Sequence, residues 1–221
     1  MLKKNYQLDV KYFCIGLHKT GTSSLHQMAL DSGLKSTHST DWYENQEKIE
    51  QFTFFCDGGS HYHHINEIDY ISLYKKFPNS IFIINIRNIR SWIISKLKHA
   101  GWHDKTKIVP CQEIIFHDGW KHKSKKNILL FIEHYYERYI GILEFFMNRQ
   151  ERAVVVDICE GHKKNLGRFL PEEIVNKKEH QNKGVNVSLS SEVLELIDYQ
   201  IGVVYRDKNQ RFQELLKYYS Y

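Results

Sequence analysis

The apolar residues of this chain fall into short, strand-sized runs that alternate with segments of helical period, and that alternation restricts the fold more than any other feature. Lys11 to Gly16, Phe52 to Cys56, Ile81 to Ile86 and Ala153 to Asp157 each read as a strand. The last is continuously apolar up to Asp157, as strands buried on both faces of a parallel sheet usually are. Between them lie helical segments. Ser23 to Ser32 puts Leu25, Met28 and Ala29 on one face and has Gly33 as its stop. Asp41 to Gln51 has a cap in Thr40 or Asp41. Ile68 to Phe77 is stopped by Pro78, and Ile89 to Lys98 follows the third strand directly. Ile128 to Asn148 reads as a long aromatic-rich helix, Lys163 to Leu170 as a short one, and Ser190 to Tyr221 as two closing helices. Residues 99–127 are polar and basic without a period and are expected to form a loop. Strands alternating with helices predict an α/β protein, a three-layer α/β/α arrangement with a mostly parallel central sheet. Its 221 residues predict one domain.

Composition removes several function classes. With 42% apolar and 14% aromatic residues the chain can bury a core, which excludes intrinsic disorder. No stretch approaches the roughly 20 apolar residues that a membrane span needs, and Met1 to Lys11 carries no signal-peptide core. The cysteines, Cys14, Cys56, Cys111 and Cys159, form no C-x-x-C pair. A disulfide framework or zinc knuckle is therefore not expected. A cytoplasmic protein is the expectation. The net charge of +5 suits an anionic ligand, but solvated lysines produce the same number.

In open parallel sheets, ligands bind at the carboxyl ends of the strands. The loop after the first strand is Gly16-Leu17-His18-Lys19-Thr20-Gly21-Thr22-Ser23-Ser24. Its glycines allow a tight turn that points successive N–H groups at an anion beside a helix N-terminus. Lys19 adds positive charge, and Thr20, Thr22, Ser23 and Ser24 add hydroxyl donors. Gly16 and Gly21 have the spacing of the nucleotide-binding pattern G-x-x-x-x-G-K-[ST], but Thr22 stands where that pattern has its lysine. A nucleoside triphosphatase would lack a central group.

The run Lys19-Thr20-Gly21-Thr22-Ser23-Ser24 after an apolar strand resembles the 5′-phosphosulfate loop of sulfotransferases that use 3′-phosphoadenosine 5′-phosphosulfate (PAPS). In that family the 3′-phosphate is held by an arginine at a strand end and a serine eight positions later. Arg87 and Ser95 stand in that relation after Ile81 to Ile86. An arginine fork with a hydroxyl about two helical turns away suits a terminal phosphate. The resemblance covers most of residues 11–170 and implies a P-loop-NTPase-like fold. Asn182-Lys183-Gly184 is a weaker counterpart of the family's basic-Gly loop, which would add Lys183 and Gly184 to the nucleotide site.

The resemblance implies PAPS as co-substrate, adenosine 3′,5′-bisphosphate as product, and no metal. Lys19 would meet the bridging oxygen, and the backbone N–H groups of Thr20 to Ser23 the 5′-phosphate. Family members take their base, a His or an acidic residue, from near the end of the second strand. Asp57 is the first choice there. His61, His63 and His64 follow in the same loop, with His61 as the alternative base or an acceptor contact. His18 either contacts the nucleotide or faces solvent. The acceptor would be a small molecule, carbohydrate or lipid with a hydroxyl or amine, and no nucleic acid partner is expected. Two alternatives remain open: a kinase or nucleotide hydrolase with a degenerate loop, and a non-catalytic polyanion-binding protein using Lys105 to Lys107 and Lys121 to Lys126.

Overall fold

A computed structural model describes residues 10–58, 68–108, 123–157, 162–168, 170, 175 and 188–219. The chain divides into two compact units, one of Met1–Ile86 with Arg149–His180 and the other of Arg87–Asn148 with Gln181–Tyr221.

The first unit is built on five parallel strands: β1 (Tyr12–Cys14), β2 (Ser36–His38), β3 (Phe54–Cys56), β4 (Ile81–Ile86) and β5 (Ala153–Asp157), in the order β2-β3-β1-β4-β5. Tyr12 pairs with Phe54 on one side and Ile81 on the other, and Ile86 pairs with Asp157. Successive side chains point to opposite faces of the sheet. Tyr12, Cys14, Phe54, Cys56, Ile83, Val154 and Val156 pack on one face against Leu25, Met28 and Ala29 of α1 (Thr22–Asp31), with Leu166 of the 3-10 turn His162–Arg168. On the opposite face the Phe13 ring lies 5.0 Å from Phe55, 5.3 Å from Phe77 and 5.7 Å from both Trp42 and Phe82. Trp42 belongs to the 3-10 turn Trp42–Glu44, and Phe77 closes α3 (Tyr70–Lys76). Helical segments thus cover both faces, which makes the expected three-layer α/β/α arrangement, with a sheet that is wholly parallel.

Local signals explain most of the differences from the sequence expectation. β2 was not expected. It is a polar Ser-Thr-His triplet at the sheet edge, paired among the described residues with β3 alone, and so it carries no apolar run. The segment 41–51 divides into the 3-10 turn and α2 (Gln46–Gln51) because Asn45, rather than Thr40 or Asp41, accepts the Lys48 N–H at 3.1 Å. α3 begins at Tyr70 because Asp69 accepts the N–H groups of Ile71 and Ser72, both at 3.0 Å.

The second unit contains α4 (Ile89–His99), α5 (Lys125–Phe146), α6 (Ser191–Tyr199), a π-helical segment Gln200–Val204 and α7 (Arg206–Lys217). α5 reaches further toward the N-terminus than its apolar period indicates because Ser124 caps it, accepting from the Asn127 N–H. Its Tyr135, Tyr136 and Tyr139 are buried against Phe212 of α7, while Trp92 of α4 packs on Phe131 and Tyr135. Arg90 of α4 forms a two-pronged pair with Asp198 of α6, at 2.6 and 3.1 Å. No helix among the described residues is long and apolar enough to cross a membrane.

Arg152 fixes where β5 starts. Its guanidinium donates to the carbonyls of Tyr74 (3.2 Å), Phe77 (2.6 Å) and Ser80 (3.1 Å), and lies 3.7 Å from the centre of the Tyr74 ring. These are carbonyls of the end of α3 and the turn into β4, so one side chain ties the entries of two neighbouring strands. Lysine keeps the charge but lacks the fork and the stacking plane. Arg152→Lys is expected to cost about 1.5–3 kcal/mol, read as a lower urea midpoint with an unchanged denaturant slope.

Candidate anion site with an Asp–His pair

In this strand order the chain moves from β3, on one side of β1, to β4 on the other, so the carboxyl end of β1 is a topological switch point where ligands collect. The loop to α1 leaves from there. A Cβ on Gly16 would lie 2.0 Å from the Asn85 carbonyl oxygen and 2.8 Å from its side-chain amide, so only glycine fits without a shift of β4. That approach lets the Gly16 N–H donate to Asn85 Oδ1 at 3.0 Å, and Asn85 Nδ2 donates to Thr20 Oγ1 at 2.5 Å. The Thr20 hydroxyl in turn donates to the Leu17 carbonyl at 2.5 Å. Thr20 is fully buried, and its hydroxyl works inside the loop, which leaves its backbone N–H as the group suited to a ligand.

On either side of Thr20, Lys19 (φ 66°) and Gly21 (φ 92°) are left-handed. Glycine adopts that conformation freely, whereas a non-glycine residue is held there at a cost of about 1–3 kcal/mol. Gly21 is the N-cap of α1 and brings it no side-chain acceptor, and the first turn of α1 has no acidic residue. The N–H groups and the positive end of the helix dipole at Thr22, Ser23 and Ser24 are therefore suited to an external anion.

Asp57, directly after β3, is the other non-glycine residue with positive φ (60°) among the described residues. Trp42 holds this strand end: its indole N–H donates to the Cys56 carbonyl at 3.1 Å, and a Cβ on Gly58 would lie 2.4 Å from the indole. Asp57 Oδ1 lies 2.7 Å from His18 Nδ1 and accepts from Thr22 Oγ1 at 3.3 Å. His38, at the end of β2, brings Nε2 to 3.2 Å from Thr22 Oγ1, 3.3 Å from Ser23 Oγ and 3.8 Å from Asp57 Oδ2. His26 of α1 lies behind it, 2.7 Å from Ser36 Oγ, and burial together with His38 holds its pKa below the ordinary imidazole value. Cys56 Sγ lies 3.4 Å from Cys14 Sγ; burial above all, then Cys14 and Asp57, pushes its thiol up, away from thiolate chemistry. No group of His, Cys, Asp and Glu among the described residues is arranged as a metal site.

The structure thus brings Lys19, Thr20, Gly21, Thr22, Ser23 and Ser24 together with Asp57 in the first unit. Arg87 and Ser95 belong to the second. Arg87 follows β4, and its carbonyl accepts from Tyr135 Oη at 2.7 Å. Asn88 caps α4 through the Ser91 N–H at 3.2 Å, and Ser95 is half-buried within that helix. His61, His63, His64, Lys183 and Gly184 lie outside the described residues. Sequence reasoning missed Asn85 and His38. A lone amide inside the apolar run Ile81 to Ile86 was a legible signal for the first, but nothing in the Ser-Thr-His triplet marks the second. No family model, curated protein or solved structure matches the chain.

Gly16→Ala is expected to cost about 1–3 kcal/mol or more, because backbone on β4 must move to admit the methyl group. Gly202→Ala, where an added Cβ meets nothing within 4 Å, is the control and should leave the melting temperature unchanged or slightly higher.

Proposed function

We propose that this chain is a PAPS-dependent sulfotransferase that transfers the sulfuryl group to a hydroxyl or amine of a small-molecule, carbohydrate or lipid acceptor. The observation that carries this reading is the loop at the switch point, with lysine in its left-handed turn and threonine at the start of the helix. Lys19 would meet the bridging oxygen between sulfur and the 5′-phosphate, where negative charge grows as the bond breaks. The N–H groups of Thr20 to Ser23 would hold that phosphate, and Arg87 with Ser95 the 3′-phosphate. Such a site works by positioning and electrostatics, as phosphoryl-transfer sites do. The engagement of Thr22 by Asp57 and His38 counts against a triphosphate-hydrolysing loop, which needs a lysine at that position.

Adenosine 3′,5′-bisphosphate at about one hundred times its dissociation constant should stabilise the protein by about 2.7 kcal/mol, or roughly 5–10 °C in melting temperature. ATP with Mg²⁺ should have no such effect. The reverse pattern would favour a kinase-type activity and overturn the proposal. Arg87→Ala should weaken bisphosphate binding tenfold or more, since about 1.5–3 kcal/mol attaches to a charged hydrogen bond, with little change in the unliganded melting temperature. Isothermal titration calorimetry of both proteins measures the difference.

A further inference from the structure

We infer that the proton acceptor at this site is His18, through Nε2, and that Asp57 positions His18 instead of acting as the base itself. The inference rests on the sulfuryl-transfer reading for the identity of the reaction, and on the contacts within the first unit for the roles.

Asp57 is already engaged. Its Oδ1 faces His18 Nδ1 at 2.7 Å and accepts from the Thr22 hydroxyl at 3.3 Å, and its side chain is only 10% exposed. Both bonds are strongest to the ionised carboxylate, and a proton taken from an acceptor would remove the charge that holds them. The same geometry defines the imidazole. An ionised carboxylate can only accept, so Nδ1 carries the hydrogen and the basic electron pair lies on Nε2. This is the arrangement by which a buried aspartate fixes the tautomer and orientation of a catalytic histidine and stabilises the imidazolium that forms.

The backbone supports the pairing from both loops. Lys19, next to His18, and Asp57 itself are the non-glycine residues with positive φ among the described residues, so the strain lies at the His18–Asp57 contact. Strained residues persist where the surrounding structure over-determines them, and they gather at functional sites. Both loop ends are over-determined here, by Asn85 on one side and Trp42 on the other.

Among the described residues, the other titratable groups leave the role to His18. His38 turns Nε2 toward the Thr22 and Ser23 hydroxyls, so that nitrogen holds the start of α1, and its approach to Asp57 is the longer one at 3.8 Å to the second oxygen. His26 lies behind His38 and bonds Ser36. Lys19 is assigned to the leaving group. In the step itself, the acceptor O–H or N–H proton passes to His18 Nε2 as the heteroatom's electron pair forms a bond to sulfur. The bond from sulfur to the bridging oxygen breaks, and its electron pair leaves on the 5′-phosphate of adenosine 3′,5′-bisphosphate beside Lys19. Deprotonation of the imidazolium by solvent resets the site.

Two measurements test this. The first is the tautomer of His18, read by long-range proton–nitrogen correlation in protein labelled with 15N-histidine, with His18→Gln for assignment. The Nδ1–H form is expected in the wild-type protein, and Asp57→Asn should shift it toward Nε2–H. The second uses water as the acceptor: release of adenosine 3′,5′-bisphosphate from PAPS as a function of pH. The wild-type rate should fall on the acid side with an inflection in the imidazole range. His18→Gln should lower the rate by about 10²–10⁴-fold and abolish that inflection, while still binding the bisphosphate. Asp57→Asn should reduce the rate and displace the inflection rather than abolish it. Normal bisphosphate binding with an Nε2–H tautomer, or with the inflection intact in His18→Gln, overturns the inference alone. Failure of the wild-type protein to bind the bisphosphate overturns the nucleotide reading and this inference with it.

Discussion

The side chain of Asn85 holds the loop after β1 at both ends, and the architecture of the candidate site depends on it. One end of the amide accepts the Gly16 N–H while the other donates to the Thr20 hydroxyl. A polar group buried completely in an otherwise apolar strand would be expensive without partners, and its two bonds to the loop remove that cost. The same contact requires Gly16, because the chain comes so close to β4 that no Cβ fits. From this anchored start the loop feeds α1, whose Leu25, Met28 and Ala29 return to the sheet through the core of the first unit.

Rigidity at the anchors explains how two residues can stay in conformations that the free chain would avoid. Lys19 and Asp57 each stand in the left-handed region, and each lies close to a contact that cannot relax: the Asn85 bonds for one, the Trp42 indole against Gly58 for the other. The strain falls where the chemistry is proposed. Around it the charge arrangement is asymmetric. Lys19 and the uncapped start of α1 favour an anion, while Asp57 is turned to His18, Thr22 and His38. A site that attracts negative charge on one side and orients an imidazole on the other is suited to group transfer with departure of a phosphate. The first turn of α1 carries no acidic residue of its own.

Much of this was legible in the residues because the signals are local. The apolar runs marked four of the five strands, and their alternation with helical periods marked a parallel α/β sheet. Gly16 to Ser24 declared an anion loop through its glycines, its lysine and its hydroxyls. The poorly legible parts lack such a local signal. β2 is three polar residues whose strand character comes from pairing with β3. The helix boundaries at Asn45, Asp69 and Ser124 were set by capping bonds, and several neighbouring polar residues have the chemistry to supply them. His38 could not be found at all, since its relation to Thr22, Ser23 and Asp57 joins a strand edge to a helix start and a second loop.

The sequence by itself determined the fold class, the position of the loop at the end of the first strand, and the absence of a lysine where a triphosphate-binding helix needs one. These depend on spacing along the chain, and hydrophobic period and glycine placement record spacing directly. Only the tertiary structure decided that the Thr20 hydroxyl serves the loop, that Asn85 is its anchor, and that Asp57 is engaged by His18 and Thr22. Those roles depend on which strand ends lie side by side. The order β2-β3-β1-β4-β5 sets the carboxyl ends of four strands side by side, and with them residues 18, 22, 38, 57 and 85, which come from four separate stretches of the chain.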